Sequence, residues 1–160
     1  MFDFTTNSAD KNSLYADLLS AADAVTAGEG DGVANMANVA ALLMQFLPDC
    51  NWTGFYRMVD DTLVLGPFQG SVACTRIAKG RGVCGTAWST KEIQLVPDVD
   101  LFPGHIACSS ASRSEIVVPI LVNGEVWGVL DVDSDVLNDF DQTDVTYLSK
   151  ICAWLGSSIL

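Results

Sequence analysis

The Asn123-Gly124 dipeptide is the feature that most constrains how this chain can fold. It joins two apolar runs of similar length, residues 115–122 and 125–133. Both residues of the dipeptide tolerate the positive φ that the tightest hairpin turns require. An Asn-Gly pair between two such runs is the strongest short-range signal for a β-hairpin, so the chain is predicted to contain an antiparallel sheet.

The other predicted elements place helices at both ends of the chain. The predicted helices, read from apolar residues at helical spacing, are 13–27 with Ser13 as its N-cap, 33–47, a short one at 82–90, and 141–158. The further predicted strands are 52–59, 62–65 and 74–78, and residues 98–114 are predicted to form a long loop of the kind that is usually functional. This order indicates an α+β fold, an antiparallel sheet flanked by N- and C-terminal helices. At 160 residues the chain is predicted to form a single domain, 1–160, with residues 1–12 as an N-terminal extension.

Composition excludes several classes of partner. Lys and Arg together number 8 against 20 Asp and Glu, which gives a formal charge of −12. Few cations are available to neutralise phosphates, so neither nucleic acid nor an anionic membrane is an expected partner. No apolar run approaches the roughly 18 residues of a membrane span, and the first residues lack the features of a secretory signal. We therefore expect a cytoplasmic protein whose five cysteines are reduced by default.

Residues 80–85 match the G-x-G-x-x-G pattern of a dinucleotide-binding turn. Only about a dozen residues separate Gly85 from Pro97, too few for a crossover helix and a second strand, and no β-α-β alternation appears elsewhere. The glycines are instead predicted to permit a tight turn and close packing of the helix that follows.

Two acids close the second strand of the hairpin. Asp131 and Asp133 lie two residues apart, so their side chains share one face of the strand, predicted to be the face of Trp127 and Val129. They are either solvated acids at a strand end or part of a drier acidic pocket. Such a pocket would bind an ammonium group or keep a carboxyl protonated.

Glu115 opens the partner strand and could join these acids. A strict two-residue turn would put Ile116 opposite Asp131 and turn Glu115 to the other face. One extra residue in the ladder puts Glu115 opposite Asp133, and Pro119 within the strand favours such an irregularity. We therefore predict a bulge or a three-residue loop that brings the three acids together.

Three of the cysteines are candidates for chemistry. Cys50 and Cys152 are predicted to be buried small hydrophobes. Cys84 opens a short helix, where free N–H groups favour the thiolate, and Cys108 lies in the long loop, where small molecules can reach it. Together with Cys74 they are unrelated reduced thiols, a zinc site completed by the single histidine, His105, or a redox trio. The absence of a C-x-x-C pair disfavours zinc.

Several segments together resemble the free methionine-(R)-sulfoxide reductases, which are GAF-domain enzymes. The resemblance runs from about Tyr15 to the last helix and is carried by Asn51-Trp52-Thr53-Gly54-Phe55-Tyr56, Leu63-Val64-Leu65-Gly66-Pro67-Phe68-Gln69-Gly70, Ala73-Cys74, Gly80-Arg81-Gly82-Val83-Cys84-Gly85-Thr86-Ala87, His105-Ile106-Ala107-Cys108, Ser114-Glu115-Ile116-Val117-Val118-Pro119 and Gly128-Val129-Leu130-Asp131-Val132-Asp133-Ser134. Three cysteines and three acids coincide in order, which makes the match specific.

The resemblance implies a GAF-like antiparallel sheet and reduction of free methionine (R)-sulfoxide to methionine, with thioredoxin as the recycling reductant. It implies that Cys108 is the nucleophile, that Cys74 is its disulfide partner and that Cys84 is an auxiliary thiol, with the division of work between Cys74 and Cys84 open. The substrate-binding residues that it implies are Trp52, Tyr56, Glu115, Asp131 and Asp133. It implies no metal or cofactor, a possible homodimer, and a role in repair after oxidative stress.

Chemistry adds two expectations to the resemblance. A sulfoxide becomes electrophilic once its oxygen is protonated, and Glu115 or Asp133 is the expected acid, while loop amides could hold the substrate carboxylate. A methionine within a peptide has no α-ammonium for the buried acids, so it is not expected to be reduced. The alternative is a stand-alone GAF sensor that binds a small molecule or responds to thiol oxidation without turnover.

Overall fold

The structure is a computed structural model that describes residue 4 and residues 10–105 and 111–158. The predicted nucleophile, Cys108, lies outside the described residues. No helix in the described part of the chain is long and apolar enough to cross a membrane.

In the described part of the chain, six strands form one antiparallel sheet and four helices pack around it. The helices are α1 Lys11–Thr26, α2 Gly32–Phe46, α3 Gly82–Thr90 and α4 Gln142–Ser158, and a 3₁₀ turn lies at Val99–Leu101. The strands are β1 Cys50–Val59, β2 Thr62–Gln69, β3 Arg76–Ile77, β4 Gln94–Val96, β5 Ser114–Val122 and β6 Glu125–Ser134. Their spatial order is β3-β2-β1-β6-β5-β4, and each pair of neighbours is antiparallel. The predicted α+β class is confirmed.

Several element boundaries differ from those predicted. Helix α1 begins two residues before Ser13 because Asp10 is its N-cap and accepts a hydrogen bond from the Ser13 N–H. Strand β2 continues to Gln69, whereas β3 shrinks to two residues. Strand β4 was not predicted, since three residues are too few for alternation to show.

The sheet has two different faces. One face packs against α1, α2 and α4 and forms the larger core, which includes Phe55, Leu130 and Val132 from the central strands. The opposite face carries a smaller cluster that α3 covers only in part. This partly covered face leaves room for a cavity.

The hairpin of β5 and β6 has the predicted extra residue. Val122 pairs with Glu125 across a two-residue turn, with Asn123 and Gly124 both at positive φ. The register then shifts at Ile120/Leu121, because Trp127 is an added residue in β6, and Glu115 comes opposite Asp133. The predicted bulge is confirmed.

The same bulge corrects one prediction about Trp127. Because the added residue changes the phase of β6, Val126 joins Val129 in the smaller cluster while Trp127 packs against the larger core. Trp127 therefore does not share the face of Asp131. Pro119 lies beyond residues 115–117, the part of β5 that β4 pairs, so its missing N–H costs no bond to that strand.

Candidate active site

A cavity opens on the partly covered face of the sheet, between β1, β6, α3 and the segments after β2 and before β5. The cavity is lined by Trp52, Tyr56, Ser71, Val72, Ala73, Ile77, Arg81, Gly82, Val83, Cys84, His105, Ser112, Glu115, Asp131 and Asp133. All five predicted substrate-binding residues therefore line one cavity, and of the two predicted cysteines in the described part of the chain Cys84 lines it and Cys74 does not.

Three acids converge on the floor of this cavity. Asp131 and Asp133 point to the same face of β6, and the register of the bulged hairpin adds Glu115 beside Asp133. Glu115 and Asp131 are only 6% and 7% exposed. Opposite Asp131 lies Gly54 of β1, where a Cβ would come within 2.8 Å of the Trp52 ring. The lack of a side chain at Gly54 thus leaves room for the Trp52 ring.

The acids have little positive charge to compensate them. Among the described residues no Lys or Arg nitrogen lies within 4.0 Å of these carboxylates, and the contact that they make there with a basic side chain joins His105 Nε2 to Glu115 Oε2 at 3.7 Å. The Oδ1 atom of Asp131 is buried and has no hydrogen-bond partner within that part of the chain. A buried oxygen without a partner is costly, so the cavity is suited to a ligand that brings a donor or a positive charge.

Burial and mutual repulsion change how the acids titrate. Burial raises the pKa of Asp131 to about 6. Burial, together with the neighbouring acids, raises the pKa of Glu115 and that of Asp133 well above their ordinary values. Carboxyls with raised pKa values can hold a proton near neutral pH, which is the property that a general acid needs.

Cys84 lies against these acids but is not a thiolate. Its Sγ donates a hydrogen bond to Asp131 Oδ2 at 3.3 Å, and the side chain is buried. Burial, followed by the negative charges of Asp131 and Glu115, raises the pKa of the Cys84 thiol well above its ordinary value. The prediction that the helix N-terminus favours a Cys84 thiolate is therefore wrong, because burial and two carboxyls outweigh the helix dipole.

The other cysteines in the described part of the chain differ in their oxidation state. Cys74, in the segment between β2 and β3, is disulfide-bonded. Cys50, Cys84 and Cys152 are free thiols, and Cys152 is buried as predicted. Cys50 is only partly buried, and burial raises its pKa to about 12.

Among the residues that the structure describes, one group of side chains could hold a metal ion. Cys84, Glu115 and Asp131 each offer a ligand atom, and these atoms lie within 4.8 Å of one another. The zinc site considered from the sequence needs Cys74 as a thiolate ligand, and the disulfide-bonded Cys74 has none to offer.

Aromatic rings form one side of the cavity. The Trp52 and Tyr56 rings, called here the aromatic wall, lie 6.1 Å apart, and the Trp52 ring also stacks on Phe68 at 5.5 Å. Both residues of the wall are at least 96% buried and come from the same face of β1. The wall offers an apolar surface to a thioether or sulfoxide group.

The glycines of residues 80–85 have the predicted packing role. Gly80 and Gly82 adopt positive φ, and a Cβ on Gly85 would meet the Ala78 carbonyl oxygen at 2.4 Å. These glycines form a tight turn that lets α3 pack against Ala78 and Gly80 and places Cys84 beside the acids.

Arg81 and His105 also line the cavity, although no substrate role was predicted for them. The one role that the sequence analysis considered for the His105 side chain was that of a zinc ligand. The approach of His105 to Glu115 depends on the path of the long loop. That path cannot be predicted from the sequence, because the loop residues show no helical or strand periodicity.

An antiparallel sheet with a cavity on its partly covered face is typical of a small-molecule-binding domain. Comparison with known proteins identifies the family to which this domain belongs. The GAF domain model matches residues 31–159, so the chain is a GAF-domain protein. The chain is 51% identical over 146 residues to the free methionine-R-sulfoxide reductase of Escherichia coli K12, with 91% of this chain and 88% of that protein covered. It is 43% identical over 157 residues to the Saccharomyces cerevisiae enzyme of the same name, with 93% and 87% covered.

A solved structure agrees with these relatives. The X-ray structure of free methionine-R-sulfoxide reductase from Neisseria meningitidis in complex with its substrate superposes with a TM-score of 0.95 at 48% identity and covers 99% of this chain and 96% of that chain. The chain belongs to the family of free methionine-R-sulfoxide reductases.

Proposed function

We propose that this protein reduces free L-methionine (R)-sulfoxide to L-methionine by thiol chemistry in the cavity described above. The observation that carries the proposal is the group of three converging acids without a Lys or Arg within 4.0 Å in the described part of the chain. A free amino acid supplies the missing positive charge as its α-ammonium group. Family membership supports the same activity.

The substrate is held at its two ends. The α-ammonium donates charge-assisted hydrogen bonds to the acids, including the unpartnered Asp131 Oδ1. The methyl and thioether end packs on the aromatic wall. Amide N–H groups of the loop 98–114 accommodate the substrate carboxylate.

The chemical step transfers the sulfoxide oxygen to a cysteine. The Cys108 thiolate attacks the sulfoxide sulfur and forms an S–S bond while Glu115 or Asp133 donates a proton to the oxygen. The oxygen then passes to the Cys108 sulfur as a hydroxyl, and both the S–O bond and the S–S bond to the substrate sulfur break. Methionine leaves reduced by two electrons, and Cys108 is left oxidised by two electrons as a sulfenic acid. The raised pKa values of Glu115 and Asp133 support this role, because each can carry a proton near neutral pH.

A second thiol then resolves the sulfenic acid. Cys74 attacks the Cys108 sulfur, a disulfide forms and water leaves. The disulfide-bonded state of Cys74 supports its choice over Cys84, whose thiol is buried and hydrogen-bonded to Asp131. Cys84 is the auxiliary thiol, and its S–H holds Asp131 in place.

The cycle closes outside the cavity. Thioredoxin reduces the disulfide by thiol–disulfide exchange and restores both thiols. No metal or cofactor takes part in the cycle. The enzyme acts as one domain in the cytoplasm, as a homodimer, and returns oxidised free methionine to use after oxidative stress.

A coupled assay tests the function. NADPH oxidation is followed with thioredoxin and its reductase, with each sulfoxide epimer of free methionine as substrate. We expect turnover with the (R) epimer and none with the (S) epimer. Absence of turnover with both would contradict the proposal and favour a GAF sensor.

Cysteine variants test the assignment of roles. Cys108→Ser is expected to abolish turnover. Cys74→Ser is expected to release about one methionine per enzyme and then stop, because the sulfenic acid forms but is not resolved. Cys152→Ser, on the other core, is the matched control with wild-type turnover. A normal steady-state rate in Cys74→Ser would move the resolving role to Cys84.

A further inference from the structure

The segment that carries Cys74 has no regular secondary structure to hold its backbone in place. Residues 70–75, called here the cysteine segment, run between β2 and β3 without helix or strand. Val72 in its middle is 88% exposed. A segment of this kind would sample many backbone positions unless side chains from elsewhere hold it.

Both residues of the aromatic wall hold this segment through their polar atoms. Trp52 Nε1 donates to the Ser71 carbonyl at 3.0 Å, and the Tyr56 hydroxyl donates to the Cys74 carbonyl at 3.1 Å. Both donors project from the central strand β1, which pairs with β2 on one side and β6 on the other. The cysteine segment is thus tied to a rigid part of the sheet at two points.

Packing at Gly70 shows how closely the cysteine segment lies on the wall. Gly70 has a φ of +122°, and a Cβ there would meet Trp52 Cδ1 at 2.7 Å. At the other end of the segment, the Leu65 N–H donates to the Thr75 carbonyl at 3.0 Å. The Tyr56 contact lies between these two fixed ends and acts directly on the residue that bears the sulfur.

The position of this bond suggests a kinetic role. Two cysteines can form a disulfide only within a narrow range of Cα separations, usually 4.4–6.8 Å. A donor fixed to the carbonyl of one cysteine restricts where its Cα can lie. The Tyr56 hydroxyl stays protonated across the working range, because burial and the nearby acids raise its pKa.

We infer that Tyr56 is a positioning residue for Cys74: its hydroxyl holds the Cys74 backbone where the sulfur can resolve the oxidised nucleophile. This role rests on the proposed function and is separate from contact of the Tyr56 ring with substrate. The ring serves the substrate, and the hydroxyl serves the disulfide step.

Tyr56→Phe separates these roles because it keeps the ring and removes the hydroxyl. Reduced enzyme is mixed with free methionine (R)-sulfoxide without reductant and quenched at intervals. Methionine release is measured by chromatography, disulfide formation by alkylation and mass spectrometry, and sulfenic acid by trapping with dimedone. Tyr147→Phe, a half-buried tyrosine that stacks on Tyr15 away from the cavity, is the control.

We expect Tyr56→Phe to slow disulfide formation by more than it slows methionine release, because the ring remains and only the hydroxyl is lost. Disulfide formation should slow by roughly 2- to 10-fold, the effect of losing one neutral hydrogen bond, and sulfenic acid should accumulate. Tyr147→Phe should match wild type in all three readouts. Thermal unfolding of Tyr56→Phe confirms that the variant is folded.

Two outcomes would overturn the inference. A raised KM or slower methionine release with disulfide formation unchanged would assign the hydroxyl to the substrate. No change in any readout would leave the hydrogen bond without a kinetic role.

A test without sulfoxide keeps the inference separate from the proposed function. Wild-type enzyme that releases no methionine would contradict the proposed function alone. Hydrogen peroxide oxidises the thiols without sulfoxide, and re-formation of the Cys74 disulfide after that treatment should again be slower in Tyr56→Phe. Equal rates with peroxide would overturn the positioning role.

Discussion

The described part of the molecule contains two buried carboxylate sites that differ in their partners. Asp144 at the start of α4 is 1% exposed and Asp131 in the cavity is 7% exposed. Asp144 is surrounded by donors: the Lys11 ammonium, the Tyr15 hydroxyl at 2.7 Å and the Asp141 N–H at 2.7 Å. Asp131 accepts a weak hydrogen bond from the Cys84 thiol and interacts with the neighbouring Glu115 carboxyl, but among the described residues it has no Lys or Arg partner and its Oδ1 accepts no hydrogen bond.

The difference indicates what each site is for. A buried carboxylate with its donors in place joins parts of the fold, and Asp144 connects α1 to the N-terminus of α4. With Asp141 it forms a capping-box arrangement, in which the side chain returns to the backbone N–H of the N-cap residue. A buried carboxylate without donors weakens the fold and is suited to a ligand that supplies them.

The first prediction breaks the cavity site and has the largest effect. Asp131→Asn keeps the shape but removes the charge that the substrate ammonium needs. We expect kcat/KM to fall roughly 10- to 150-fold, the effect of losing a charge-assisted hydrogen bond, with stability unchanged or higher. Steady-state kinetics and chemical denaturation measure the two quantities.

The matched control for that variant is Glu125→Gln, on the exposed turn of the same hairpin. It removes an equal charge outside the cavity and should leave kcat/KM unchanged. An Asp131→Asn enzyme with wild-type kinetics would refute the role of Asp131 in binding.

The second prediction breaks the structural site. Asp144→Ala leaves the Tyr15 hydroxyl and the Asp141 N–H without their acceptor. We expect the free energy of unfolding to fall by about 2–3 kcal/mol. The loss is limited because the Lys11 ammonium stays partly solvated. We expect kcat/KM of the folded enzyme to stay near wild type. A large loss of kcat/KM in fully folded Asp144→Ala would contradict the separation of the two sites.

The third prediction concerns pH and the cavity acids. The pKa of Asp131 rises from 3.8 to about 6 on folding, so the folded protein binds this proton more tightly than the unfolded chain. The contribution of this group to stability is full below pH 3.8 and is lost as pH rises through about 6.

We expect substrate binding to have the opposite pH dependence, because the proposed contact with the substrate ammonium needs ionised acids. The KM for the sulfoxide should rise by up to tenfold per unit as pH falls below about 6. Initial rates between pH 5 and 8 check this, with Asp144→Ala as a control of unchanged profile. A KM independent of pH over this range would be inconsistent with the Asp131 pKa.

The fourth prediction sharpens the comparison with the smallest change. Tyr15→Phe removes one hydrogen bond to Asp144 and keeps the ring stacked on Tyr147. We expect a loss of about 1 kcal/mol in unfolding free energy and no kinetic change. An unfolding free energy equal to wild type would show that the tyrosine bond adds nothing to the Asp144 site.

The sequence predicted the cavity acids better than it predicted their surroundings. Counting pairs back from Asn123-Gly124 showed that Glu115 reaches Asp133 only with one added residue, and Trp127 is that residue. Which residue bulges depends on packing on both faces of the sheet, so Trp127 was placed on the wrong side. Local sequence patterns indicate the register of a strand pair, but they do not show which residue forms the bulge.

Long-range contacts account for the other differences. The thiolate prediction for Cys84 used only its place at a helix start, whereas its protonation depends on Asp131, 47 residues away. The Asp144 site also went unpredicted, because Lys11 and Tyr15 approach it only after α1 and α4 pack together. Neither contact has a signal in local spacing.

The most direct test compares free L-methionine (R)-sulfoxide with its N-acetyl derivative on the same enzyme. Acetylation removes the positive charge and leaves the sulfoxide intact, so the cavity acids lose the partner that they need. We predict that kcat/KM for the acetylated compound is at least about 100-fold lower. Comparable values for the two compounds would contradict the claim that the buried acids recognise the α-ammonium group.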